Sequence, residues 1–115
     1  MKITLPYYKM PSWNTLYAGR HWTVRQEMAN YAHQSVSEAL RGMKWTPFKA
    51  KVEITVIAYL KRTIDCSNVC MKMVEDGLKR SGVIKDDRIK YVESVKLIVK
   101  KAKKDYTEIY IEKVK

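Results

Sequence analysis

The chain has 115 residues, 46% of them hydrophobic, and a formal net charge of +11 from 23 Lys and Arg against 12 Asp and Glu. This length predicts one domain over residues 1–115, and the hydrophobic content excludes a disordered tail. No apolar run approaches the ~20 residues that cross a bilayer and no signal-peptide core is present, so we expect a cytoplasmic protein with no membrane partner. The charge favours a polyanionic partner, most often nucleic acid, although a solvated basic surface has the same composition.

The first half of the chain predicts a strand, an ordered loop and a long helix. Residues 2–6 alternate, which favours a short strand, and the Pro- and Gly-containing residues 9–22 predict a loop. Thr23 with Gln26 matches the capping box of a helix start, and Gly42 ends that helix. The apolar residues at helical spacing predict a stripe that faces the core: Val24, Met28, Tyr31, Ala32, Val36, Ala39, Leu40 and Met43.

The second half predicts a strand, a helix and a hairpin. Residues 51–60 are rich in β-branched side chains and alternate with a period of two. Ser67 is predicted to cap a helix that Gly82 ends. Residues 91–101 and 105–113 predict two strands joined by a tight turn. The order β-α-β-α-β-β predicts a single α+β domain with a small mixed sheet and two main helices, in which the strands flanking the second helix run parallel.

Acidic residues are concentrated around this second helix, although the chain as a whole is basic. Asp65 precedes the helix, Asp76 lies within it, and Asp86 and Asp87 follow it. Carboxylates near cationic side chains are what a hydrolase uses to hold Mg²⁺ beside a phosphodiester. Asp65 can equally be a helix-start acid, and the Asp86-Asp87 pair a turn. A helix of about 14 residues is ~21 Å long, so Asp65 and Asp87 share a site only if the following loop returns along the sheet or a second subunit contributes.

Six pieces of this region follow one another in a fixed order: Asp65, Asn68, Lys72, Asp76-Gly77-Leu78, Gly82-Val83-Ile84 and Asp86-Asp87. Nearer the start of the chain stand the segments ITLP, PSWN and LY. This order resembles the RusA-type Holliday-junction resolvases, small phage-associated structure-specific endonucleases. Their signature is Asp-x-Asp-Asn, then Lys, then Asp-x-Leu, then a Gly-hydrophobic stretch that ends in Asp-Asp. The resemblance extends over nearly the whole chain.

The resemblance implies a fold, a reaction and a set of site residues. It implies an α+β homodimer that cuts four-way and related branched DNA, in the cytoplasm of a bacterial or phage-infected cell. Mg²⁺ is the implied cofactor, Mn²⁺ its substitute, and no small-molecule cofactor is expected. Asp65 and Asp87 correspond to catalytic metal ligands, and Asp86 joins them in the expected metal site. Asn68 and Lys72 complete the expected catalytic set.

Basic and polar residues near these acids are the expected DNA contacts. They flank the loops around the predicted site: Asn14, Arg20, Arg25, Lys61, Arg62 and Lys72. A further run at the hairpin turn has two explanations, phosphate contact or protection of an edge strand against aggregation: Lys100, Lys101, Lys103 and Lys104.

One acid of the family signature is missing. Counted back from Lys72 without a gap, the second acid falls on Asn68 and the first on Cys66. With one residue inserted after Asn68, Asp65 takes the first acid and Ser67 the second; we prefer this register because it leaves Ser67 to cap the helix. An amide or hydroxyl oxygen carries no charge and binds Mg²⁺ more weakly than a carboxylate. A catalytically impaired protein that binds branched DNA is therefore an alternative, and an unrelated basic domain that binds RNA or a protein is another.

A two-fold symmetric substrate also predicts two subunits. A four-way junction has approximate two-fold symmetry, and a domain of this size can hold one site, so two copies are the simplest arrangement. Because both copies are strongly positive, we expect an apolar contact between them. The aromatic residues outside the predicted core stripe are its candidates, with the loop that holds the first two preferred: Trp13, Tyr17, Trp22 and Trp45. Ordinary burial in the core is the alternative for each of them.

Overall fold

The predicted order of strands and helices is present, with two short elements added. The computed structural model describes residues 1–17, 19, 21–62, 64–86, 88 and 90–114. The strands are β1 (Lys2–Leu5), β2 (Val52–Leu60), β3 (Val92–Lys101) and β4 (Tyr106–Lys113). The helices are α1 (Trp13–Tyr17), α2 (Trp22–Arg41) and α3 (Lys72–Arg80), with a 3₁₀ turn at Cys66–Asn68. A single α+β domain with two main helices is confirmed, and no helix in the described ranges combines the length and apolar character needed to span a membrane.

The four strands form one mixed sheet in the order β1-β4-β2-β3. β4 pairs antiparallel with both β1 and β2. β2 and β3 pair in parallel, from Val52 opposite Val92 to Leu60 opposite Lys101, which confirms the predicted parallel pair. Because parallel strands end at the same edge of a sheet, the segments that follow Leu60 and Lys101 leave the sheet side by side.

The core lies on one face of this sheet. Alternate residues of β2 are buried, as the period of two predicts: Val52, Ile54, Val56, Ala58 and Leu60. Three residues of α2 join the same core, Ala32, Val36 and Leu40, and confirm the centre of the predicted helical stripe. Tyr31 is 48% exposed, so its assignment to the core was wrong. Its ring packs edge-on against Tyr8 and its hydroxyl donates to the Tyr7 carbonyl, so it covers the core from outside.

The two main helices approach each other closely at Gly77 of α3. A Cβ at this position would lie 3.3 Å from Val36 Cγ2 and 3.4 Å from His33 Cα, both on α2. Glycine inside a helix is about 1 kcal/mol less favourable than alanine. The contact with α2 explains why glycine occupies this position.

The start of α2 differs from its prediction. The helix begins at Trp22, and its N-cap is His21, not Thr23. The Thr23 backbone N–H donates to His21 Nδ1 at 3.3 Å, so the imidazole satisfies a donor that a capping Ser or Thr usually satisfies. The capping box at Thr23 was therefore wrong.

The predicted loop before α2 contains the short helix α1. Ser12 Oγ accepts a hydrogen bond from the Thr15 backbone N–H at 3.1 Å, which caps the helix. Leu16 is fully buried and attaches α1 to the core. Of the predicted loop, residues 9–22, Trp13–Tyr17 are therefore helical and Trp22 already belongs to α2, whereas residues 18 and 20 lie outside the described part of the chain.

Candidate functional site

Several predicted site residues lie at the edge where β2 and β3 end. Lys61, Arg62 and Asp65 follow β2, while Lys100 and Lys101 are the last residues of β3. The turn between β3 and β4 holds the exit of β2 in place, since Asp105 Oδ1 accepts from the Lys61 backbone N–H at 2.9 Å. This edge therefore collects residues from two distant parts of the chain.

The side chains at this edge surround a hollow of about 150 Å³, which we call the basic hollow. Its described lining is Leu60, Arg62, Ile64, Cys66, Val99, Lys100 and Lys101. That lining contains three cations and no carboxylate. Asp65 is exposed and stands in the chain between two lining residues, Ile64 and Cys66, so a single acid adjoins the hollow along this segment.

Lys100 and Lys101 were not predicted to lie at the same site as Arg62. They were expected only as part of a hairpin turn, where phosphate contact and edge-strand protection were both possible roles. The available signal was the predicted parallel pairing, because it puts the end of β3 beside the end of β2. Since β3 is an edge strand, both explanations of the lysines are compatible with their place.

The N-terminal loop lies against the segment that follows Asp65. Ser12 forms an antiparallel bridge with Val69, and the Cys70 backbone N–H donates to the Pro11 carbonyl at 2.8 Å. These contacts hold α1 beside the 3₁₀ turn. The segments that carry the two halves of the RusA-like pattern are therefore in contact.

Ser67 does not cap α3, so that prediction was wrong. Val69 is extended, with φ −85° and ψ 128°, and α3 begins only at Lys72 without a side-chain cap. The reason is the pairing with the N-terminal loop, which holds Val69 in an extended conformation that no helix can include and binds the backbone N–H of the buried Cys70. Capping by Ser67 therefore no longer supports the alignment preferred from sequence, in which one residue is inserted after Asn68. That alignment is supported only by the matches of Asp65 and Asn68 to the family signature.

Burial raises the pKa of the Cys70 thiol, which keeps the thiol protonated.

The acids around α3 do not gather in the described part of the structure. The Asp86 carboxylate lies 3.7 Å from Lys79 Nζ, in the last turn of α3, and 3.2 Å from Arg88 Nε. Asp65 precedes the 3₁₀ turn at the other end of that helix. Among the residues described, no three His, Cys, Asp or Glu side chains are grouped so that they could hold a metal ion. Asp87 lies outside the described residues, so a metal site that combines it with Asp65 stays a prediction.

The remaining predicted residues have separate positions. Lys72 and Asp76 are four apart in α3 and therefore lie on one face of it, with Lys72 exposed and Asp76 half-buried. Asn68 ends the 3₁₀ turn, and its backbone N–H donates to the Asp65 carbonyl at 2.9 Å. Its side chain is half-buried.

Most of the expected DNA contacts are accessible. Four of them are exposed: Asn14, Lys61, Arg62 and Lys72. Arg25 is half-buried on α2, with its guanidinium 4.9 Å from the centre of the Tyr17 ring. Arg20 lies outside the described residues.

A second basic surface lies at the other end of the strands, where β2 begins and β4 ends. It is a groove of about 840 Å³, which we call the far groove. Four lysines belong to it: Lys2, Lys44, Lys49 and Lys113. Lys113 pairs with Val52, the first residue of β2, so this groove is remote from Asp65. Net charge alone does not distinguish the two surfaces, and an experiment must compare them.

Comparison with known proteins does not assign the chain to a family. No protein-family model matches the chain, and no curated protein matches it significantly in sequence.

Proposed function

We propose that this chain is a metal-dependent, structure-specific endodeoxyribonuclease that cuts branched DNA, four-way junctions included, as a homodimer. The observation that carries the proposal is the setting of Asp65, an exposed carboxylate that stands in the chain between two lining residues of a hollow to which Arg62, Lys100 and Lys101 also contribute. Cations of this kind bind phosphates, and a carboxylate on an adjoining residue is a suitable ligand for Mg²⁺. The ordered residues that resemble the RusA-type resolvases support the same assignment.

The described residues alone do not form a metal site, so the proposed Mg²⁺ or Mn²⁺ site depends on Asp65 together with Asp87. Asp86 is a weaker candidate because Lys79 and Arg88 already neutralise its carboxylate. Lys72 is exposed at the first residue of α3 and can contact a phosphate next to the cleaved one. Asn68 supplies an uncharged oxygen or a hydrogen-bond donor on the same segment.

A nicking assay on synthetic four-way junctions tests the proposal. We expect cuts in two opposed strands with Mg²⁺ or Mn²⁺ and none in EDTA. A wild-type protein that leaves junctions, flaps and forks uncut with either metal would contradict the nuclease assignment.

A second candidate function is binding of branched DNA without cleavage. It is favoured by the missing acid, since Ser67 and Asn68, the two positions that could hold it, carry no charge. A band shift in EDTA with no cleavage after metal is added would select this candidate. If the protein binds no junction at all, the partner is of another kind, such as RNA or a protein.

We predict that the surface around Asp65, and not the far groove, binds the DNA. Changing Lys61, Arg62 and Lys72 to Ala should weaken junction binding and flatten its dependence on salt. Removing one phosphate-binding cation reduces the slope of log affinity against log salt by about 0.9 on duplex DNA. The slope is measured by fluorescence anisotropy at several salt concentrations in EDTA.

The matched control removes the same charge at the other edge of the sheet. Changing Lys44, Lys49 and Lys113 to Ala also deletes three exposed lysines. We expect a much smaller change in slope from this variant. Equal slopes for the wild type and the Lys61, Arg62, Lys72 variant would mean that the DNA surface lies elsewhere.

We predict that the protein is a dimer without DNA. Sedimentation at micromolar concentration should give twice the chain mass of 13.5 kDa. Of the four aromatic residues named from sequence for the contact, Trp45 packs partly against the core, and Trp13, Tyr17 and Trp22 are exposed. The positive charge beside these three favours a partner other than a second copy of the chain, so the dimer is expected to form through another surface. A monomer in solution, and still one chain per junction at saturation, would remove the two-site mechanism.

A further inference from the structure

Three large aromatic side chains are exposed together where α1 meets α2. Trp13 is 40% exposed, Tyr17 43% and Trp22 57%. The Trp13 and Tyr17 rings lie 5.5 Å apart, and Arg25 joins Tyr17 to the first turn of α2, where Trp22 lies three residues earlier. We call Trp13, Tyr17 and Trp22 the aromatic corner. Single exposed apolar side chains are ordinary, but several exposed rings on neighbouring helices are typical of an interaction surface.

The fold holds these rings outward. Leu16 enters the core from α1, while Trp13 and Tyr17, four residues apart, lie on an adjoining face of the helix and stay exposed. Ser12 caps α1 and is itself bridged to Val69, which fixes the direction of the helix. The rings are therefore presented on a short, anchored helix.

The charge around the aromatic corner indicates what kind of partner this surface binds. The first 26 residues contain no Asp or Glu, and the first acid of the chain is Glu27. Arg25 lies within the corner, and the imidazole of His21 lies 5.5 Å from the Trp22 ring. A second copy of a chain with net charge +11 is repelled by such a surface, whereas a polyanion with flat rings is attracted to it.

We propose that the aromatic corner binds unpaired bases of single-stranded DNA by stacking. Bases have flat π-faces that stack on Trp and Tyr with little regard to sequence, and an arginine beside the rings can pair with the phosphates. The corner is next to the segment that carries Asp65, because Ser12 of the same loop pairs with Val69. Bases freed at a branch point are thus held beside the candidate site. This inference rests on the proposed action on DNA. It adds that unpaired bases are the chemical groups by which the protein recognises DNA as branched.

The test is binding of the full chain to a short, labelled oligodeoxythymidine in EDTA, followed by anisotropy and by tryptophan fluorescence. The wild type should bind, and its fluorescence should be quenched, because two of its three tryptophans lie in the corner. Trp13→Ala and Trp22→Ala should each weaken binding roughly tenfold, while Trp13→Phe, which keeps a stacking ring, should retain most of it. Tyr7→Ala is the matched control, since Tyr7 is 83% exposed but outside the corner, and its affinity should equal that of the wild type.

The outcomes separate this inference from the proposed function. Wild-type affinity of Trp13→Ala and Trp22→Ala for the oligonucleotide would overturn stacking. Loss of the dimer in these variants, seen by sedimentation without DNA, would assign the corner to the subunit contact and overturn it too. If the wild type binds four-way junctions but no single strand, the inference fails and the proposed function stands; if it binds neither, both fail.

Discussion

Changing Asp65 to Asn is expected to reduce junction cleavage at least roughly 100-fold while leaving junction binding intact or tighter. A catalytic metal ion contributes several kcal/mol, and each ~1.4 kcal/mol is a factor of ten in rate. The amide keeps the size of the side chain but loses the charge that would hold the proposed metal. It also removes one negative charge from the proposed DNA-facing surface, so we expect no loss of affinity. Single-turnover cleavage and a band shift in EDTA measure the two effects.

Asp65→Asn should change the charge at this position without disturbing the fold. The side chain is exposed and makes no capping hydrogen bond to the 3₁₀ turn, so the fold should tolerate the change. Glu112→Gln is the charge-matched control, since Glu112 is exposed and lies on β4 near the other edge of the sheet. Asp87→Asn should lose cleavage in the same way as Asp65→Asn. Near wild-type cleavage by both aspartate variants would refute the metal assignment.

A second large effect is expected on stability, at the contact between α2 and α3. Changing Gly77 to Leu should lower the free energy of unfolding by about 1–3 kcal/mol or more, because a larger side chain in a filled contact forces the helices apart. The Cβ alone would already lie 3.3 Å from Val36 Cγ2. Urea unfolding followed by circular dichroism gives the change as a shift of the midpoint.

Two further substitutions show whether crowding is the cause. Gly42→Leu places the same side chain at the end of α2, where an added Cβ meets no atom within 4 Å, and should leave the midpoint nearly unchanged. Gly77→Ala should have a small effect, because about 1 kcal/mol of helix propensity offsets the close contact. Equal midpoints for Gly77→Leu and the wild type would show that the helices can separate there without loss.

The parts of the fold that depend on local pattern were predictable from sequence. The alternation in β2 and the two-strand pattern after it correspond to the strands found, and the parallel pairing of β2 with β3 followed from the helix between them. The first residues of α2 and α3 were less predictable, because each depends on a contact with an unusual capping residue or with a distant part of the chain. His21 caps α2 with an imidazole, and α3 starts late because Val69 is paired with Ser12, 57 positions earlier in the chain (69 minus 12).

The same distinction applies to the candidate site. Arg62 and Asp65 are close in sequence, so their shared place was expected. Lys100 and Lys101 lie at the same site because β3 pairs in parallel with β2, with Lys101 opposite Leu60. The sequence predicted the parallel pairing but not which residues of the two strands lie opposite each other. Trp13, Tyr17 and Trp22 were named from sequence as candidates for a surface contact, with core burial as the alternative, and the structure shows them exposed. The sequence did not decide between the two, because an aromatic residue on a helix is buried or exposed according to which side of the helix meets the core.

The order of the strands also sets when the protein can finish folding. β1 precedes the other three strands of this sheet in the chain, and its neighbour in the sheet is β4, which follows them. Ile3 and Leu5 are buried in the finished domain, yet a growing chain has no strand to pair with them until residues 106–113 have been made. Contacts between residues so far apart form slowly, in about milliseconds to seconds, because the intervening chain must first be ordered. The nascent protein therefore carries an unpaired apolar strand until β4 has been made, and the sheet closes only then.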